Sequence, residues 1–323
     1  MKQDTWRRQP AAYPLQGMLQ PRFTDVDLWQ HLNNVAQIGL HGELLQQWLQ
    51  ATLGADVWRK ASPQLALRSN ATHFLAEAHY PAPLATGVRL LGVDAAGLQL
   101  ATALFQHGQG VGLHQAVLGA WDGGQSVPLP APWLARLQAA WAAQAPLEAA
   151  ATVDGSTLAA PPAAPISAPP AVPISAPPVV PLAPAHPDAW PWQIGIGARF
   201  GDADAHGNSS DFTLARCAEQ GRVQFLTRVF GAQRLAAPVG FMVAHVALRW
   251  HRRSRAPLAW QLGIGVQRVG ARSLSVRSAL FDGAQHLADA ESVMVVIDHA
   301  TRRPEALPEA ARAQLAAYQL PGV

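Results

Sequence analysis

Two carboxylates and a histidine stand close together near the start of the chain. They are Asp25, Asp27 and His31, in the run Arg22-Phe23-Thr24-Asp25-Val26-Asp27-Leu28-Trp29-Gln30-His31-Leu32-Asn33-Asn34. A carboxylate can attack an electrophilic carbon or orient a water, and an imidazole titrating near neutrality can take or hold the proton. Asn33 stands where it could cap a helix, whose first N–H groups and dipole favour negative charge developing nearby. The pattern returns past the middle of the chain. Arg22, Phe23, Asp25 and Asp27 recur as Arg199, Phe200, Asp202 and Asp204, each 177 positions on, followed by Gly207-Asn208-Ser209-Ser210-Asp211. The second copy has Asn208 where the first has His31, and His206 two residues earlier. Matching in register identifies a tandem duplication of a carboxylate-rich element. Asp25 and Asp202 read as braces of their loops, because Asx side chains often close turns on themselves.

These loops must be held by the elements around them, and both copies predict the same order. A short strand (19–23; 194–200) enters the loop, and a helix of about four turns follows, capped by Asn33 or by Ser209/Ser210. Its apolar positions are Val35, Ile38, Leu45, Trp48 and Leu49 in the first copy, and Phe212, Leu214, Ala218, Phe225 and Leu226 in the second. That spacing predicts a largely buried helix. Alternating strands come next, over 65–77, 88–93, 97–106 and 114–121, then 240–251, 259–269, 273–281 and 288–297. A closing helix follows over 132–143 and 308–318. One long helix with four or five antiparallel strands is an α+β pattern.

Between the copies the composition changes. Ala164-Pro165-Ile166-Ser167-Ala168-Pro169-Pro170 nearly repeats in Val172–Pro178. Proline- and alanine-rich sequence of this kind predicts an extended, semi-rigid spacer. The expected organisation is a first domain over 1–149, a linker over 150–187 and a second domain over 188–323. A composition of 49% hydrophobic and 14% charged residues suits a folded soluble chain. There is no apolar run near the roughly 18 residues that read as a membrane span. No signal peptide is evident, so a cytoplasmic location is expected. The lone Cys217 excludes an intramolecular disulfide and a multi-cysteine zinc site, and no metal is expected. A net charge of +3 is too mild to point to nucleic acid.

The arrangement resembles the hot-dog fold, a long helix wrapped by a curved antiparallel sheet. The loop is similar to that of the 4-hydroxybenzoyl-CoA and acyl-CoA thioesterases, whose pattern Asp-x-Asp-x-x-Gly-His-x-Asn-Asn is kept from Asp25 to Asn34 except for Gln30 at the glycine. It is more similar still to the plant fatty acyl-ACP thioesterases, which carry Gln-His at that point and two hot-dog repeats per chain. Here Trp29 replaces their asparagine. The resemblance implies a tandem, double hot-dog acyl-thioesterase acting on acyl-CoA or an acyl carrier protein. It implies no cofactor beyond the CoA or phosphopantetheine of the substrate, and it allows further homo-oligomerisation.

Carried over position by position, the resemblance implies catalytic roles for Asp27 and His31, and for Glu77 by approximate register. Asp204 is the corresponding residue of a second pseudo-site. Asn33, Asn34, Gly207 and Asn208 are expected at the substrate, the asparagines doubling as caps. In His251-Arg252-Arg253-Ser254-Arg255 the three arginines Arg252, Arg253 and Arg255 could grip CoA phosphates or dock an acidic carrier, or simply end a solvated strand. Glu43, Glu219 and Arg222 lie near where other hot-dog branches place a catalytic acid, and Glu219 is held as a reserve candidate. Two rival activities fit the same resemblance: a hydratase or dehydratase of acyl thioesters, and a non-catalytic acyl-thioester binding module.

Overall fold

The computed structural model describes residues 4–59, 62–144, 184–231, 239–256 and 258–321. The first copy runs β1 (Leu15–Leu19), α1 (Asn34–Leu53), β2 (Gln64–Phe74), β3 (Leu84–Asp94), β4 (Gly97–Gln106), β5 (Gln109–Asp122), a short β6 (Gln125–Val127) and α2 (Ala131–Ala143). The second runs β7 (Trp192–Gly197), α3 (Asp211–Phe230), β8 (Val239–Trp250), β9 (Ala259–Val269), β10 (Ser273–Asp282), β11 (Gln285–Asp298) and α4 (Glu309–Ala316). Of the expected linker 150–187, residues 150–183 lie outside the described residues. Residues 184–187 lead into a 3-10 turn, Pro187–Ala189.

Several expected boundaries move; the strand expected over 88–93, for example, runs from Leu84 to Asp94. The strands entering the loops end at Leu19 and Gly197, because Phe23–Asp25 and Phe200–Asp202 close into 3-10 turns instead. The strand expected over 65–77 stops at Phe74, which leaves Glu77 in the connection that follows.

All main strands join one antiparallel sheet in the order β1-β3-β4-β5-β2-β8-β11-β10-β9-β7. The two copies meet at its centre, where β2 pairs with β8 from Ser69↔Arg249 to His73↔His245. His73 and His245 stack across this seam with ring centroids 4.4 Å apart. On one side of the sheet α1 packs over β3, β4 and β5, α3 packs over β9, β10 and β11, and the two helices touch. Asn33 caps α1 by accepting from Val35 N at 2.7 Å and Ala36 N at 3.3 Å, and Ser210 caps α3 by accepting from Thr213 N at 3.1 Å. The expected apolar stripes are buried except at Phe212, which is 37% exposed. Its ring occupies the gap that Gly39 of α1 leaves, where an added Cβ would lie 2.9 Å from it.

The copies differ where their helices meet the sheet. Leu44 is buried in α1. The matching position in α3 is Gly221, where a Cβ would fall 2.2 Å from Leu262 Cδ2 and 2.6 Å from Ile264 Cδ1. The second helix therefore lies closer to β9 than a larger residue would allow.

The outer face differs as well. Asp289 of β11 is 1% exposed and accepts from His251 Nε2 at 2.7 Å and His286 Nε2 at 2.8 Å. In β5 the matching residue is Leu113, so the fold does not require a carboxylate here. Burial pushes the Asp289 pKa up, but hydrogen bonds and charge from the two histidines outweigh it and hold the group down at about 2. A depressed carboxylate stabilises the fold above its unfolded pKa, and this stability is lost as pH falls through the folded value. Asp289 should contribute about 2 kcal/mol at neutral pH, vanishing between roughly pH 4 and pH 2. Urea midpoints followed from pH 5 to 2.5 should fall less steeply for Asp289→Asn than for the wild type. Parallel curves would refute this.

Candidate active site

Each Asp loop is braced by its own arginine. Asp25 Oδ2 accepts from Arg22 N at 2.8 Å and Nε at 3.2 Å, and Oδ1 accepts from Nη2 at 2.8 Å. Asp202 repeats this with Arg199 at 2.8, 3.1 and 3.0 Å. Both carboxylates are buried and fully engaged in holding the turn. The loop is then cinched by Asp27 N donating to His31 O, with a bridge between Val26 and Leu32. Gln30 takes the left-handed backbone (φ 65°) where the second copy has Gly207 (φ 78°). A non-glycine residue pays about 1 kcal/mol for this conformation, so the cinch overrides local preference.

Asp27 is positioned by this turn. Its Oδ1 accepts from Trp29 N at 2.9 Å, and its Oδ2 lies 3.4 Å from His31 Nδ1, with both side chains about one-fifth exposed. One oxygen braces the turn while the other stands beside an imidazole. The loop delivers Asn33 and Asn34 to the middle of α3. Asn33 Nδ2 donates to Glu219 Oε1 at 2.9 Å, and Asn34 Oδ1 accepts from Arg222 Nη2 at 3.4 Å.

A cavity of about 610 Å³ opens at this junction. Asp27, Trp29, His31, Asn33 and Asn34 line it from the first copy, and Glu219 and Arg222 from α3. Its remaining walls are largely apolar and belong mostly to the second copy: Val223, Leu226, Phe230, Phe241, Val243, Met294, Leu307 and Ala311. The α3 residues recur at helical spacing, so the cavity runs along one face of that helix. Two contacts tie the first copy across it. Trp29 stacks on His299 at 4.9 Å, and Glu77 pairs with Arg302.

The structure thus brings Asp27, His31, Glu77, Asn33 and Asn34 to one cavity. The reserve candidate Glu219 lines it too, whereas Asp204, Gly207, Asn208 and the three arginines lie elsewhere. Asp204 Oδ1 accepts from His206 N at 2.8 Å and Asn208 N at 3.0 Å. Asn208 Nδ2 donates to Gln64 Oε1 at 2.9 Å, and His206 Nε2 meets Trp58 O at 2.8 Å. First-copy groups thus contact this loop, and Asp204, Gly207 and Asn208 do not line the cavity. The arginine cluster also lies away from the cavity lining. Arg253 is 5% exposed, ion-paired with Asp211 and set over the Trp250 ring, so it is not free to grip a phosphate. Arg252 and Arg255 are exposed beside it.

Glu219 and Arg222 enter the site as residues the loop motif did not announce. A signal for them exists in the repeat itself: the matching first-copy residues are Gly42 and Leu45. Among the described residues, one trio of metal-type donors lies within 4.8 Å of one another, His251, His286 and Asp289 on the outer face. No helix of the described residues is long and apolar enough to cross a membrane.

A family model described as the thioesterase-like superfamily matches residues 198–315. The chain carries a thioesterase-like domain. The matched region spans the Asp204 loop, α3 and the second-copy strands, so most of the apolar cavity wall falls within it. Among solved structures, an acyl-ACP thioesterase from Bacteroides thetaiotaomicron superposes with a TM-score of 0.56 at 10% identity, covering 87% of this chain and 97% of that one. The 12:0-ACP thioesterase from Umbellularia californica gives 0.58 at 9% identity, covering 90% and 94%. At such identities the likeness establishes the fold, a hot-dog arrangement of helix and antiparallel sheet extending well beyond the thioesterase-like domain. No curated protein matches the chain.

Proposed function

We propose that the protein hydrolyses acyl thioesters, releasing a free acid and a thiol, with two hot-dog units (1–149 and 188–323) paired through one sheet and joined by the linker 150–187. The observation that carries this reading is the make-up of the cavity: a polar end holding Asp27 and His31 from one copy, and a largely apolar chamber drawn mostly from the other. A thioester needs little activation. It requires a nucleophile at the carbonyl carbon, donors for the developing oxyanion, and room for the acyl chain. Asp27, with His31 at its side, orients or activates water; Glu219, held by Asn33, is a second carboxylate at the same junction. The chamber takes the acyl chain. CoA or a carrier-bound phosphopantetheine arrives as part of the substrate, and no separate cofactor is invoked.

Thiol release from a panel of acyl-CoAs, short to long and including aryl, tests this directly. Release from at least one member at a rate well above background is expected. No release from any acyl-CoA or acyl carrier protein, with thioester binding still measurable, would leave a binding module.

A further inference from the structure

Arg222 is 5% exposed and lies on the cavity wall. Its Nη1 donates to Ser292 Oγ at 3.0 Å and its Nη2 to Asn34 Oδ1 at 3.4 Å. Both acceptors are neutral. Among the described residues no carboxylate comes within the 4.0 Å of an ion pair with it. Burial pulls its pKa below the ordinary arginine value, and Glu219, one turn earlier, opposes that at longer range. A buried cation without a contacting anion is costly to keep, so an anion placed against it would be held well.

The duplication supplies an internal control. The first copy has buried Leu45 where the second has Arg222, and buried Ala116 where the second has Ser292. The helix and sheet therefore pack at this point with apolar residues, so the guanidinium and its hydroxyl support are not demanded by the fold. Their location is informative too. Asn34 is the first residue of α1, and its N–H has no partner among the described residues. A guanidinium and a free helix-start N–H thus stand together at the junction that Asp27, His31 and Glu219 share.

We propose that Arg222 is a catalytic residue whose guanidinium receives the negative charge developing on the thioester carbonyl oxygen and then holds the carboxylate product. This rests on the thioester-hydrolase reading. Water oxygen bonds to the carbonyl carbon as its proton passes to a site carboxylate, and the carbonyl π pair moves onto the oxygen facing Arg222. The pair returns as the carbon–sulfur bond breaks, its electrons leaving on the thiolate, which takes up a proton. The carboxylic acid formed ionises and remains opposite the guanidinium until release.

The test compares full-length wild type, Arg222→Leu (the residue of the first copy) and Arg222→Lys, all checked by melting temperature. With the acyl-CoA that wild type uses best, Arg222→Leu should lower kcat by roughly 10²–10³, the usual cost of one oxyanion donor, with little change in KM. Arg222→Lys should recover part of the loss. By calorimetry, the free acid of the same chain should bind wild type better than the matching primary alcohol, and Arg222→Leu should erase that preference. A kcat within threefold of wild type, or equal binding of acid and alcohol by wild type, would overturn the proposal, the latter even if the leucine variant did not fold. Should wild type cleave no thioester, the catalytic role falls with the hydrolase reading. An Arg222-dependent preference for the acid would then show that the anion site itself had not failed.

Discussion

Asp27→Asn should reduce kcat for thiol release by on the order of 10³-fold, while affinity for a non-hydrolysable thioether analogue stays close to wild type. The substitution is nearly isosteric, and asparagine Oδ1 can still accept from Trp29 N, so the turn is kept. What is lost is the second oxygen, 3.4 Å from His31 Nδ1, which an amide nitrogen replaces with a donor that can neither attack carbon nor take a proton. Asp204→Asn should leave both quantities unchanged. Asp204 accepts from two backbone N–H groups, lies 3.9 Å from Arg253, and does not line the cavity. Loss of turnover in the Asp204 variant with activity retained in the Asp27 variant would reverse the assignment of the working site.

Gly221→Leu should destabilise the fold by about 3 kcal/mol, as overpacking of a closely fitted site does, lowering the melting temperature by roughly 4–5 °C. Leucine is the residue the first copy uses at this position, so neither helix propensity nor polarity accounts for the loss. The cost comes from distance: Leu262 and Ile264 already occupy the space a Cβ would enter, and α3 would have to lift away from β9. Since α3 also forms one long wall of the cavity, the same variant should alter the acyl-chain preference of any activity that remains. A melting temperature within 2 °C of wild type would show that the helix can shift freely, contrary to the close packing described above.

Much of this architecture was legible from periodicity and repetition. The 177-residue offset aligned both loops and both long helices, and apolar runs located the main strands, several of which are buried on both faces, β4 at every residue. Asp25 and Asp202 were readable as braces, since Asx side chains close local turns without tertiary help; that Arg22 and Arg199 clasp them came from the structure. Contacts between the copies were not legible in this way. Glu219 reaches Asn33 across 186 residues of sequence, and nothing local to either residue signals the other. Arg253 sits in a run that looks like a solvated basic patch, yet Asp211 and Trp250 bury it. Glu77 was placed on a strand by pattern, but the ladder ends at Phe74, and an ion pair with Arg302 sets its side chain instead. Comparing the copies residue by residue, rather than searching each for a motif, is what exposes Arg222 against Leu45.

The β2–β8 seam gives the duplication a further meaning. Each half supplies the other with a neighbour for its innermost strand, and a severed half would present a bare edge that invites aberrant pairing. It would also keep only a fraction of the cavity, either the Asp27 loop without most of the chamber or most of the chamber without the loop. The halves are therefore specialists rather than interchangeable modules. A change that sharpens the loop and a change that reshapes most of the chamber fall in different halves of the same chain. Only the contacts across the junction, such as Asn33 to Glu219 and Trp29 on His299, bind the two to each other.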